Sequence, residues 1–245
     1  MSETEGIRIN KYLAMQGVST RRDADKLILA GKVVINGRKA IVGDKVHEGD
    51  KVEITKKIKS DYIYYAYNKP RGIITHSPQN GEKDILTSVG LKGVFPVGRL
   101  DKDSEGLIIL TNDGRITDRL LNPKYDHDKE YVVKTRVPIK ESQLKIMEKG
   151  MDLEGITTAP CKTKLIDDPK SNKNSGFDGA RKIFSITLSE GQKHQIRRMC
   201  DALTLPIENL KRVRVMNVKL GTLKSNAFRK IEGSELNEFL KSLGL

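Results

Sequence analysis

The sequence predicts an α+β protein in which residues 61–245 build a mainly antiparallel mixed sheet and residues 1–60 form a small module in front of it. Strand-like runs rich in β-branched and aromatic residues (YIYYAYNKP, LIILTND, KEYVVKTRV, KIFSITLSEG) do not alternate regularly with helical ones. A doubly wound parallel sheet is therefore a poor match. The first 60 residues instead read as two helices followed by short Val/Ile runs. The charged, aperiodic KKIKSD (Lys56–Asp61) reads as a linker between the two parts.

Taken in order, residues 7–15 (IRINKYLAM) and 20–30 (TRRDADKLILA) are expected to be helical. In the second, Ala24, Leu27 and Ile28 share one face, Thr20 offers an N-cap and Gly31 a stop. In KVVINGRKAIVGDKVHEGDKVEI the pairs Asn36-Gly37, Gly43-Asp44 and Gly49-Asp50 supply turns between short strands. Beyond the linker, segments 141–149, 194–203 and 234–243 read as helices, with Ser234 capping the last. The polar DDPKSNKNSGFDGA (167–180) reads as a surface loop between strands.

Composition limits the chemistry. A hydrophobic fraction of 37% and a charged fraction of 31% fit a soluble globular chain. No apolar run approaches the roughly 20 residues of a membrane helix, and MSETEGIRIN has no signal-peptide pattern, so a cytoplasmic protein without membrane contact is expected. Cys161 and Cys200 lie far apart and the four histidines do not cluster, which argues against a disulfide framework or a metal site. The formal charge of +13 draws the chain toward polyanions.

In the first module Arg8 and Lys11 share a helix face at i, i+3, and Arg22 and Lys26 another at i, i+4; Arg21 and Lys32 add to the charge. The succession of helix, Ser-Thr-Arg-Arg, helix, Gly-Lys-Val-Val-Ile-Asn-Gly and Gly-Asp-Lys-Val resembles the S4 (α-L) RNA-binding domain. That resemblance implies a basic surface docking structured RNA by shape and phosphate contacts.

Three later segments, NKPRGIITHS (Asn68–Ser77), GRLDKDSEGLIILTNDG (Gly98–Gly114) and GQKHQIRRMC (Gly191–Cys200), resemble motifs of RsuA/RluB/RluF-type pseudouridine synthases, with KEYVV (Lys129–Val133) between the last two. The family usually has Thr where Ser104 stands, another hydroxyl. The resemblance covers residues 62–232 and implies isomerisation of a uridine in ribosomal RNA by a synthase domain that needs no metal, redox cofactor or other cofactor. It assigns catalysis to Asp101, as nucleophile at C1′ or base toward the 2′ proton, because a carboxylate of ordinary pKa (~3.9) is ionised at neutral pH. It pairs Asp101 with Arg197, an always-charged partner able to bond both oxygens of a buried carboxylate. It places Tyr131 against the extruded base, where the ring stacks and the hydroxyl serves proton transfer at C5. Lys69, Pro70 and Gly72 are expected to shape a neighbouring loop, Lys69 as a structural or phosphate-binding group. Arg99, Arg198, Arg212 and Arg214 join Lys69 as expected RNA contacts, the last two from the basic stretch Lys211–Lys224.

KYDHDKEY (Lys124–Tyr131) with RVRVMNV (Arg212–Val218) resembles most the RluF branch, which implies 23S ribosomal RNA; 16S RNA, the RsuA-branch substrate, is the alternative. The expected partner is a structured stem-loop with a flipped uridine, in naked RNA or an assembling large subunit, engaged by a monomer. A non-catalytic RNA-binding or ribosome-assembly protein would share the charge and the first module, yet would not require Asp101, Tyr131 and Arg197 together. Neither a HIGH-like or KMSKS-like segment nor a Walker loop, GxGxxG or methyl-donor motif is present, which argues against synthetases and other nucleotide enzymes.

Overall fold

The computed structural model describes residues 6–16, 18–19, 21–55, 62–76, 81–167 and 181–245, apart from the Arg22 side chain. The expected Thr20 cap, the linker 56–61 and nearly all of the insert 167–180 lie outside the described residues.

The first module runs β1 (Ile7–Arg8), α1 (Ile9–Met15), α2 (Arg21–Leu29), β2 (Val33–Ile35), β3 (Arg38–Lys39), β4 (Lys45–Val46) and β5 (Val52–Ile54). Ile7 and Arg8 were expected to be helical but pair antiparallel with β4, which leaves α1 shorter. The stop at Gly31 closes α2: its φ is +66°, its N–H donates to Ile28 O at 2.9 Å, and Lys32 N–H reaches Leu27 O at 3.0 Å. This is the Schellman arrangement, which satisfies two otherwise open carbonyls. At the β2–β3 turn Asn36 and Gly37 both take positive φ, 49° and 82°, as the two-residue hairpin requires. Ile9, Leu13, Ala24, Leu27, Ile28, Val33 and Ile35 make this module's own core.

The larger unit continues with β6 (Tyr64–Lys69), α3 (Ile85–Val89), β7 (Phe95–Val97), β8 (Glu105–Thr111), α4 (Arg115–Leu121) and β9 (Lys129–Thr135). Then come α5 (Glu141–Glu148), β10 (Asp152–Leu153), β11 (Ile156–Thr157), β12 (Lys162–Ile166) and β13 (Ile183–Leu188). It ends with α6 (Gln195–Ala202), β14 (Ile207–Val215), β15 (Val218–Lys219), β16 (Phe228–Lys230) and α7 (Gly233–Ser242). The nine-stranded sheet follows the order β12-β13-β9-β14-β8-β6-β16, with β15 on β14 and β7 on β8. Every pairing is antiparallel except β14 with β8, so the mainly antiparallel mixed sheet is as expected. Helices α4 and α7 pack on it through Ile116, Leu120, Phe239 and Leu243; α5 and α6 do so through Leu144, Met147, Ile196 and Met199.

Two expectations are corrected. Ser234 lies inside the first turn of α7, whose N-cap is the extended Glu232, so Ser234 caps nothing. Half of the basic stretch Lys211–Lys224, expected to contact RNA, is the inner strand β14 with its return β15; alternation buries Leu210 and Arg212, and a bulge between Arg212 and Arg214 brings Val215 inward in spite of the charges between them. The parallel pairing also explains one glycine. Gly106 sits at φ +107° opposite Arg212, and a methyl group there would lie 2.2 Å from the Arg212 carbonyl oxygen. Only glycine lets β14 approach β8 this closely, and that approach brings Arg212 beneath the loop described next.

Candidate active site

The loop between β7 and β8 carries Asp101 and is held from below. Lys69, at the end of β6, has no exposed surface, and its Nζ donates to the carbonyls of Pro70 (2.9 Å), Ser104 (2.8 Å) and Lys102 (3.4 Å). Buried Thr75 accepts from Leu100 N–H at 3.1 Å and donates to Leu100 O at 2.8 Å. Gly72 N–H donates to Lys102 O at 2.8 Å, and Ser104 N–H closes the turn on Asp101 O at 3.1 Å. These bonds fix the loop backbone, so the Asp101 side chain projects from a constrained turn.

Helix α6 faces that loop. Its Arg197 donates through Nη2 to the Ser104 hydroxyl at 3.1 Å, and its Nε lies 3.7 Å from Asp101 Oδ2. The expected pair is thus present, but through one oxygen at long range rather than two. Asp101 is also not the buried carboxylate expected: its side chain keeps 39% exposure, so solvent supplies part of the compensation assigned to arginine. His194, unassigned from the sequence, approaches closer than Arg197, its Nδ1 lying 3.1 Å from the same Oδ2.

Asp101, Arg197 and Tyr131 line one cleft of about 740 Å³ together with Arg99, Lys129, His194 and Arg212. Tyr131 sits in β9 opposite Arg212 of β14 and Ile186 of β13, and the Arg212 guanidinium carbon is 6.0 Å from its ring centre. The three residues expected to act together are therefore brought together.

The expected RNA contacts divide. Arg8, Lys11, Arg21, Lys26 and Lys32 are exposed on the first module, Lys26 in an ion pair with Asp23 at 2.9 Å, and Arg99 is exposed on the cleft. Of the two roles expected of Lys69 the structure shows the structural one, which removes it from the RNA contacts, and Arg212 is corrected. Arg212 is 5% exposed, with Nε donating to Leu107 O at 2.7 Å. Arg198 and Arg214 are also tied into the protein. Arg198 ends on Leu153 O (2.6 Å) and Glu154 (3.1 Å); Arg214 ends on Glu130 (2.8 Å) and Met216 O (2.8 Å). Their charge is largely neutralised in place, so net sequence charge overstated the cationic surface.

Burial has electrostatic consequences. It pushes the Lys69 ammonium from 10.5 down to about 8, against the opposing pull of Asp101, Asp103 and Glu105, and it lowers Lys129, with Arg212 adding repulsion. It raises the thiols of Cys161 and Cys200 to about 11 and about 12, which fits inert packing residues. Among the described residues no His, Cys, Asp or Glu cluster could hold a metal.

Lys69 yields a first prediction. Below about pH 8 it is protonated in both folded and unfolded chains, and its burial weighs fully against folding. Between about 8 and 10.5 the unfolded chain binds a proton that the folded chain lacks, so stability rises with pH. In urea unfolding the advantage of the wild type over Lys69→Met should therefore grow from pH 7.5 to 9.5. A constant difference would show that the ammonium is not desolvated.

Comparison with known proteins agrees with this geometry. The family model described as RNA pseudouridylate synthase matches residues 63–202, and the S4 domain model matches residues 7–52. The dual-specificity RNA pseudouridine synthase RluF of Escherichia coli (strain K12) is 37% identical, over 98% of this chain and 81% of the relative. The ribosomal large subunit pseudouridine synthase B of Bacillus subtilis (strain 168) is 35% identical over 94% and 93%. A solved structure described as a pseudouridylate synthase superposes with a TM-score of 0.67 at 26% identity, covering 97% of this chain and 99% of that one. With an S4 domain ahead of a catalytic unit whose cleft unites Asp101, Tyr131 and Arg197, the chain belongs to the RNA pseudouridylate synthase family and is an RNA pseudouridine synthase.

Proposed function

We propose that this enzyme isomerises a uridine of large-subunit (23S) ribosomal RNA, with Asp101, Tyr131 and Arg197 as its catalytic residues. The observation that carries the site assignment is the Asp101 carboxylate on a clamped loop, facing Tyr131 and Arg197 across one cleft. In the reaction the N1–C1′ bond breaks, the base turns in place, C5 bonds to C1′, the C5 proton leaves and N1 gains a proton. Asp101 meets the sugar as nucleophile at C1′ or as base toward the 2′ proton. Tyr131 packs the base and serves the proton at C5, while the Arg197 guanidinium, 3.7 Å from Oδ2, places a positive charge beside the carboxylate.

A cleft of about 740 Å³ accepts one flipped nucleotide. Flipping costs a few kcal/mol, which phosphate contacts by the first module and by Arg99 at the cleft offset. The large-subunit target is supported by the likeness to the RluF branch in KYDHDKEY and RVRVMNV and by the large-subunit synthase of Bacillus subtilis among the relatives. One chain supplies all these contacts, in keeping with a cytoplasmic monomer acting on free or assembling ribosomal RNA. Mapping pseudouridines in ribosomal RNA from cells with and without the protein tests this. One large-subunit position should revert to uridine; loss of a small-subunit position instead would replace 23S by 16S RNA.

A further inference from the structure

We propose that His194 is a positioning residue for Asp101, holding one carboxylate oxygen so that the other meets the nucleoside. This rests on the role given to Asp101 above. Both partners of the carboxylate approach the same atom: His194 Nδ1 lies 3.1 Å and Arg197 Nε 3.7 Å from Oδ2. Oδ1 has no hydrogen-bond partner among the described residues. At 3.7 Å the arginine contact is ionic rather than a hydrogen bond, and its Nη2 is committed to Ser104 Oγ. The imidazole therefore makes the one direct hydrogen bond to the Asp101 carboxylate among the described residues. A half-exposed carboxylate otherwise turns readily about its last torsion, which is broad and nearly two-fold.

The backbone at His194 supports a dedicated role. It stands at the N-cap of α6 with φ 53° and ψ 25°, a left-handed conformation that few residues other than glycine adopt and that His enters more readily than most. An N-cap residue ordinarily turns an oxygen back onto the helix N–H groups, yet His194 makes no capping bond. Its ring is directed instead across the cleft to a residue 93 positions earlier. The left-handed backbone and the unused cap leave the His194 ring free to meet Asp101. Because an ionised carboxylate only accepts, Nδ1 carries the hydrogen.

The test uses full-length variants that all tolerate or relieve the left-handed backbone. His194→Gly removes the donor, and His194→Asn places an amide N–H near the position of Nδ1. Tritium release is followed under saturating enzyme on whichever 5-tritiated ribosomal transcript, large- or small-subunit, the wild type modifies. RNA affinity is measured by filter binding and folding by thermal melting. His194→Gly should lower the rate on the order of 10- to 100-fold, the scale of a misplaced reacting group, with RNA affinity within about twofold. His194→Asn should recover most of that loss. A wild-type rate in His194→Gly beside an inactive Asp101→Asn would overturn the role of His194 and leave that of Asp101 standing. Equal losses in the Gly and Asn variants would overturn the hydrogen-bond assignment. An active Asp101→Asn would remove the underlying reading with it.

Discussion

Asp101→Asn is expected to bind RNA like the wild type and to lose turnover by on the order of 10³-fold or more, the scale of removing a residue that acts in the bond-breaking step. The substitution keeps size and shape. The turn survives because Ser104 N–H bonds the backbone carbonyl of residue 101, not its side chain. Lys69, Thr75 and Gly72 hold the loop through main-chain groups as well. The amide oxygen can still accept from His194, so neighbouring geometry is preserved. What disappears is the negative charge, and with it both nucleophilicity toward C1′ and basicity toward the 2′ proton. Melting temperature should change little, because the side chain is 39% exposed and its ion pair with Arg197 spans 3.7 Å. Tritium release from 5-tritiated uridine RNA is the readout. Turnover above about one per cent of wild type would place the chemistry on another group.

Much of the architecture was legible because strand alternation and turn chemistry are local. Tyr64–Lys69, Glu105–Thr111 and Ile183–Leu188 lie where the β-branched runs put them, and Asn36-Gly37 turns as such pairs must. Strand β14 was hidden by its own charges: KRVRV reads as a basic tract until Arg212 is seen to bury its guanidinium on Leu107 O. Helix α4 carries a legible Ile116–Leu120 pair at i, i+4, but it is only seven residues long and its N-cap, Gly114, gives no capping signal. At the site, the motifs pointed to Asp101, Tyr131 and Arg197, which the fold brings into one cleft, whereas His194 left no local trace. Its importance depends on a left-handed backbone at a helix start and on a contact between distant residues. Arg212 misled for the opposite reason, and the phosphate-binding alternative for Lys69 fell with it, since long cationic side chains are ordinarily exposed and both are enclosed here by carbonyls.

Replacing Arg8, Lys11, Arg21 and Lys32 together by Ala is expected to weaken binding to long ribosomal RNA roughly 10²- to 10³-fold at moderate salt. All four side chains are exposed on the first module. Substitution is preferable to deleting the module, because α1 packs on the larger unit: a methyl group at Gly114 would meet Ala14 Cβ at 3.3 Å. The module's core is carried by Ile9, Leu13, Leu27, Ile28 and Val33, so removing surface charge should leave it folded. Each lost phosphate contact lowers the slope of log K against log salt by about 0.9 for duplex and about 0.7 for single strands, so four should reduce it by roughly 3. Arg198 and Arg214 supply the internal comparison, since Glu154 and Glu130 already neutralise them and their replacement should change the slope by less than one unit together. Turnover at saturating RNA should fall far less than affinity, because the cleft residues are untouched. A quadruple variant with wild-type affinity and slope would show that the exposed cations of the first module do not dock the substrate.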